Sequence, residues 1–267
     1  MENLIYLYSL IPAEAQKTIP ELTGFDGEGK LYPVSINENV TAVVCQLDPE
    51  VYAEEKIEDK INNDMDWLKE KAFHHHETIT ALYKDHTIIP LKFCTIYKGE
   101  ESLREKIQEN EDKVESSFDL LKDNEEWNVK IFADDEALKK QVSDNNEAIE
   151  EKRQEISRLS RGKQFFERKK IDDLIDKELD KEKDRVGDMV HDKLKQYAIH
   201  DAIKKNWNKD VTGLQENMVW NSVYLLPEEV VASFLREVKQ FENELGELGW
   251  RLEASGPWPS YHFSSFS

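Results

Sequence analysis

Two hydrophobic patterns alternate along the chain: short apolar runs, and long polar stretches carrying an apolar residue every three or four positions. Residues 4–11 read LIYLYSLI, a β-rich run that Pro12 stops. Residues 31–36 and 40–47 give two shorter strands, joined by Asn37-Glu38-Asn39 as a predicted hairpin. After Asp48-Pro49, apolar residues recur at Ile57, Ile61, Met65, Leu68, Ala72, Ile79 and Leu82, one stripe of an amphipathic helix over 57–83. Residues 86–97 are strand-like, with Pro90 marking an edge or a bulge. Leu103, Ile107, Val114, Phe118 and Leu121 mark a second helix.

Residues 127–132 predict another strand. Leu138, Val142, Ile149, Ile156 and Leu159 then share a helical stripe interrupted by Asn145 and Lys152. Ser160-Arg161-Gly162 reads as a turn, and a second long stripe runs from Phe166 through Leu179 and Val190 to Tyr197. Two such stripes with a short connection predict an antiparallel helical hairpin at about 135–205. The missing heptad positions argue against a long parallel coiled coil. Residues 210–214 are a short strand or a turn, and 218–226 alternate as a strand. Pro227-Glu228-Glu229 opens a helix, because proline suits the first turn and acids suit the positive end of its dipole. Residues 250–254 form the last strand. The fold class is therefore α+β with two domains. An N-terminal α+β domain spans 1–125. A C-terminal ferredoxin-like (βαββαβ) domain spans 126–254, with the hairpin inserted in its first crossover. An extended tail occupies 255–267.

Charge narrows the function classes. The 267 residues include 36 basic and 56 acidic side chains, a net charge of −20. Such a field repels phosphate backbones and anionic membrane surfaces, so neither nucleic acid nor membrane is an expected partner. No apolar run approaches the roughly 20 residues of a membrane span. The N-terminus lacks the basic region of a secretion signal and reads as a buried strand. Cys45 and Cys94 lie inside apolar segments, as expected of buried thiols in a reduced cytoplasm.

Catalytic chemistry finds no foothold. His74-His75-His76 is the most tempting metal candidate, but side chains on a helix diverge by about 100° per residue. No histidine follows at the i+4 spacing of a zinc pair, so His75, on the apolar stripe, is read as a packed, hydrogen-bonded side chain, with a partner contact as the alternative. Acidic clusters such as Asp134-Asp135-Glu136 lack calcium-loop spacing and read as solvated helix starts, with Asp134-Asp135 at an N-cap. There is no Gly-rich phosphate loop, nucleophile elbow or CxxC motif. No catalytic, cofactor-binding or metal-binding residue is assigned, and the protein is not expected to be an enzyme.

Two segments remain as candidate partner-binding or interdomain docking sites. One is a cationic stretch of Arg161, Lys163, Arg168, Lys169 and Lys170 around Phe165 and Phe166. A solvated turn and helix start, or a docking site for an acidic partner, would both fit it. The other is the tail, with Pro257, Trp258, Pro259, Tyr261, Phe263 and Phe266. Its prolines favour an extended run, and aromatics left in water would form a sticky patch, so the tail is expected to dock on its own body or on a partner.

The tail motif GPWPSYHF resembles the GPWPPYSF signature of the gas vesicle GvpF/GvpL family, with GvpL the nearer branch. The start at residues 4–8, LIYLY, and residues 89–97, IPLKFCTIY, resemble the family's YLYG-like start and its PLRFGTIF segment. Cys94 stands where the family usually has Gly, Ser9 where the start often has Gly, and Ser260 where a third Pro is usual. The resemblance implies two α+β domains and a cytoplasmic accessory protein of gas vesicle assembly, without a cofactor. It also implies binding to the shell protein GvpA and to other accessory Gvp proteins during nucleation or growth. The alternatives are a minor structural component retained in the vesicle, or a ligand-sensing ferredoxin-like module.

Overall fold

The computed structural model describes residues 3–264, apart from the side chain of Arg168; Phe266 lies outside the described residues. The chain is α+β. Of the described residues, those up to Glu126 and those from Pro257 to Ser264 form one compact unit, and Trp127–Gly256 form a second.

The first unit is built on β1 (Leu4–Pro12), which is buried along almost its whole length. β2 (Tyr32–Ser35) pairs antiparallel with β3 (Val40–Leu47), and β3 pairs antiparallel with β1. The predicted hairpin holds because Asn37 Oδ1 accepts from the backbone N–H groups of Asn39 and Val40. Tyr8 is an extra residue in β1, since the register jumps from Leu7↔Val44 to Ser9↔Val43. Such a bulge bends the strand locally. The short α1 (Pro49–Tyr52) follows, capped by Asp48.

Three expectations change here. The helix expected over 57–83 is two, α2 (Glu54–Asn63) and α3 (Met65–Tyr83). Asp64 leaves helical geometry and accepts from Trp67 N–H at 3.0 Å, so an aspartate N-cap competes with helix continuation. Met65, expected on the buried stripe, is 59% exposed at this new start. The strand over 86–97 shrinks to β4 (Ile89–Pro90) and β5 (Ile96–Tyr97), both paired to β1. Pro90 supplies no donor, and a turn with Cys94 at φ +63° separates the pair. The second helix is also two, α4 (Glu100–Gln108) and α5 (Glu111–Leu121), divided at Asn110.

The second unit takes β6 (Asn124–Ala133) from Trp127 onward, and β6 leads to α6 (Asp135–Asn145). Asp134 caps α6 as expected, accepting from the N–H groups of Glu136 and Ala137. Asn146 then caps a new helix, α7 (Glu147–Ser157), so the first hairpin arm is broken where its apolar stripe faltered. The return arm is the 34-residue α8 (Arg161–Leu194), and Arg161 belongs to its first turn, not to a preceding turn. The hairpin gives out before its expected end: β7 (His200–Ile203) is a strand that the sequence pattern hid. Residues 210–214 are neither strand nor simple turn. They hold α9 (Lys209–Thr212), which Gly213 ends at φ +67°.

β8 (Asn217–Pro227), α10 (Glu228–Gly246) and β9 (Trp250–Trp258) complete the unit. β9 runs four residues beyond its expected end, taking residues 255–258 from the extended tail. The sheet order is β7-β8-β6-β9, with β7 and β8 antiparallel neighbours. Trp127, Val129, Ile131, Val186, Val190, Tyr224 and Phe234 are among the buried residues of its core.

Candidate functional site

Three consecutive histidines on α3 point three ways, as helical geometry requires. His75 is 4% exposed. Its Nε2 lies 3.1 Å from the Leu91 carbonyl, which can only accept, so Nε2 carries the proton. Nδ1 then accepts from the Tyr6 hydroxyl at 2.8 Å, and Tyr6 in turn accepts from Cys94 N–H at 3.2 Å. Burial drives His75 down to about 4, with the Leu91 hydrogen bond opposing and His74 and His76 adding to the fall. Burial also pushes the Tyr6 and Tyr8 hydroxyls up. His74 Nε2 instead meets the Tyr8 hydroxyl at 3.2 Å, and His76 faces Trp258. His75 is thus the packed, hydrogen-bonded side chain its stripe position suggested. Among the described residues no three His, Cys, Asp or Glu side chains converge on a point.

The tail meets this same helix. Trp258 is half-buried, with its ring centroid 5.9 Å from that of His76. Pro259 and Ser260 are buried, and a turn follows in which Tyr261 N–H donates to Pro259 O at 2.7 Å. The Tyr261 ring packs against the cluster of Tyr6, Phe25 and Ile79, and its hydroxyl lies 3.4 Å from His75 Nε2. His262 N–H donates to the buried Glu126 carboxylate at 3.1 Å. Phe263 is half-buried beside the His262 ring, and Pro257 is exposed.

Arg161, Phe165 and Phe166 lie on the opening turns of α8. The two phenylalanines are 74% and 76% exposed, with rings meeting edge-to-face at 5.8 Å. No acid occupies the first turn, and Ser160 makes no capping hydrogen bond. Cations at the positive end of a helix dipole are a local mismatch. The exposed apolar pair and the unfavourable charge together mark a surface that folding alone does not explain.

Sequence reasoning missed the polar partners of the core and one groove. Tyr6 and Tyr8 read as strand apolars, and only a pairing of β1 with α3 could show their histidine partners. The second unit repeats the motif: His191 Nδ1 meets the Tyr224 hydroxyl at 2.8 Å, and its Nε2 lies 3.1 Å from Asp201. The groove, of about 950 Å³, lies in the first unit between α2 and β5. Tyr52, Ile57, Ile61 and Ile96 supply apolar lining, and Glu54, Glu55 and Glu58 are exposed along it. Cys94 also lines it. Both thiols are free, and burial pushes Cys45 up to about 11 and Cys94 up to about 12, so neither is a ready nucleophile.

The model of the family described as gas vesicle synthesis protein GvpL/GvpF matches residues 4–265. This chain belongs to the GvpL/GvpF family. A curated relative, gas vesicle protein L of Streptomyces sp. (strain CB03234), is 23% identical over 204 residues, covering 76% of this chain and 72% of that protein. The crystal structure of gas vesicle protein GvpF from Anabaena sp. PCC7120 superposes with a TM-score of 0.76 at 22% identity, covering all of both chains. GvpF from Microcystis aeruginosa gives 0.67 at 19% identity, covering 99% of this chain and 100% of that one. The resemblance carried by LIYLY, IPLKFCTIY and GPWPSYHF is borne out at family level, and the relatives carry both letters. A GvpL/GvpF protein has a role in gas vesicle formation, and the family is not a known enzyme class. Among the described residues no helix is long and apolar enough to cross a membrane.

Proposed function

We propose that this GvpL/GvpF protein is a non-catalytic, cytoplasmic escort or scaffold that binds the shell protein GvpA and other accessory Gvp proteins during vesicle nucleation or growth. The observation that carries the reading is the family match across residues 4–265. Two physical features support it. A net charge of −20 keeps an escort and its cargo soluble. The exposed Phe165–Phe166 pair, with Arg161 beside it, offers a compact apolar contact within that charged surface. The tail residues Trp258 and Tyr261, which meet α3, and the half-buried Phe263 offer a separate contact in the first unit.

The same reading divides the chain into an N-terminal α+β domain (1–125), a ferredoxin-like domain (126–254) and a tail (255–267). The strand order β7-β8-β6-β9, with two helical crossovers, supports the ferredoxin-like assignment.

Pairwise pull-downs against each purified gas vesicle protein test the proposal, using the full chain, a chain ending at Gly256, and a Phe165→Ala/Phe166→Ala variant. The full chain is expected to retain the shell protein or another accessory protein, and the phenylalanine variant to retain less. In parallel, an equimolar amount of the full chain should suppress turbidity of dilute shell protein. Retention of no gas vesicle protein, with turbidity unchanged, sinks the reading.

A further inference from the structure

Two surface features of this chain are complementary to each other. The first is the tip of the helical hairpin. Residues 158–170 hold six basic side chains against one acid, Glu167, in a chain of net charge −20. Arg161, Lys163, Lys169 and Lys170 are exposed around the edge-to-face wedge of Phe165 and Phe166. Burying that wedge would remove a large apolar area from water. The second is the groove beside α2. Its volume of about 950 Å³ suits a bulky apolar insert, since sites for small organic ligands run from roughly 300 to 1,000 Å³. Its lining from Tyr52, Ile57 and Ile96 is apolar, and Glu54, Glu55 and Glu58 stand along it as exposed carboxylates, outnumbering the exposed cation of the lining, Lys98.

We infer that the hairpin tip of one copy docks in the α2–β5 groove of a second copy. The Phe165–Phe166 wedge meets the apolar lining, while Arg161, Lys163 and Lys169 face Glu54, Glu55 and Glu58. Charge selects the occupant. Two copies at −20 repel over most of their surfaces, and the basic tip against an acidic groove is a juxtaposition in which opposite charges meet. The contact is heterologous, because tip and groove are different surfaces. Copies therefore add head to tail, and the chain they form closes into a ring only if the geometry permits. Salt screens the long-range repulsion between copies, with a Debye length of about 8 Å at physiological ionic strength, and affects the desolvated contact less.

The inference takes the docking tip from the proposed function and gives it a second occupant. Its test contains no other gas vesicle protein, so its failure leaves the pull-down result standing. Sedimentation velocity of the full chain at physiological ionic strength should show weight-average mass rising with concentration. A tip variant, Phe165→Ser/Phe166→Ser, and a groove variant, Glu54→Lys/Glu55→Lys/Glu58→Lys, should each stay at monomer mass. All five positions are exposed, so folding should survive in both. Mixed one to one, the two variants retain one intact tip and one intact groove between them. The mixture should then approach twice the monomer mass and stop there. A second pair, Lys169→Glu/Lys170→Glu with Glu54→Lys/Glu58→Lys, repeats the test should either first variant misfold. A wild-type chain that stays monomeric overturns the inference. So does a tip variant that still associates, or a mixture that fails to recover the dimer.

Discussion

At the residue scale, His75 links sequence, packing and pH response. Its place on the α3 stripe puts the ring inside, where Tyr6 and Leu91 satisfy both nitrogens. Burial favours the neutral ring and lowers its pKa from 6.5 to about 4. A group depressed in the folded state is fully stabilising above its unfolded value and loses that stabilisation as pH falls toward its folded value. Unfolding free energy should therefore drop as pH falls from about 6.5 to about 4, by about 3 kcal/mol from this ring at most. Urea titrations across that window, on wild type and His75→Gln, check the assignment. A variant with the wild-type pH slope would remove His75 as the cause. Cys94 is a second case. Its φ of +63° lies in the left-handed region that glycine enters without steric cost. The backbone is held there in part because Cys94 N–H donates to Tyr6.

At the element scale, the helices break where a short polar side chain can cap. Asp64, Asn110 and Asn146 divide stretches whose apolar spacing alone looked continuous, and Asp64 and Asn146 accept backbone N–H groups at the break. The stripe sets which face is buried, and the cap sets where the axis restarts. α8 shows a different constraint. A Cβ built on Gly187 would lie 2.2 Å from Cε3 of Trp220, so the helix approaches β8 only because residue 187 has no side chain. Gly187→Ala should lose about 1–3 kcal/mol, the usual cost of overpacking, despite alanine's better helix propensity. A gain in the denaturation midpoint would show that Trp220 swings aside at little cost.

At the scale of the whole molecule, the chain's end returns to the unit formed by its beginning. Tyr261 and His75 meet across 186 positions of sequence, and His262 and Glu126 across 136. A fully buried Trp258 would lose about 3–5 kcal/mol on truncation to alanine. The ring is half-buried, so Trp258→Ala should cost about 1–2 kcal/mol, less than a full core cavity. Ending the chain at Gly256 should cost more, because Pro259, Ser260 and the Tyr261 ring leave buried positions as well. Thermal unfolding of the two variants orders these losses, and equal midpoints would assign the tail's whole contribution to Trp258.

The sequence by itself determined most of the long strands and helices and the faces most of them bury, the family, and the unusual apolar character of the tail and of residues 165–166; it did not show β7, α9 or the breaks within the helices. Those properties are local: period, capping chemistry and motif are written within a few residues of each other. Tertiary structure alone decided which strands pair, that residues 200–203 complete the second sheet, and that Tyr6 and Tyr224 each hold a buried histidine. It also decided that Tyr261 reaches His75 and that α2 and β5 enclose a groove. Each of these is a meeting of residues far apart in sequence, set by how buried faces stack and how buried polar atoms find partners, and no local pattern encodes it.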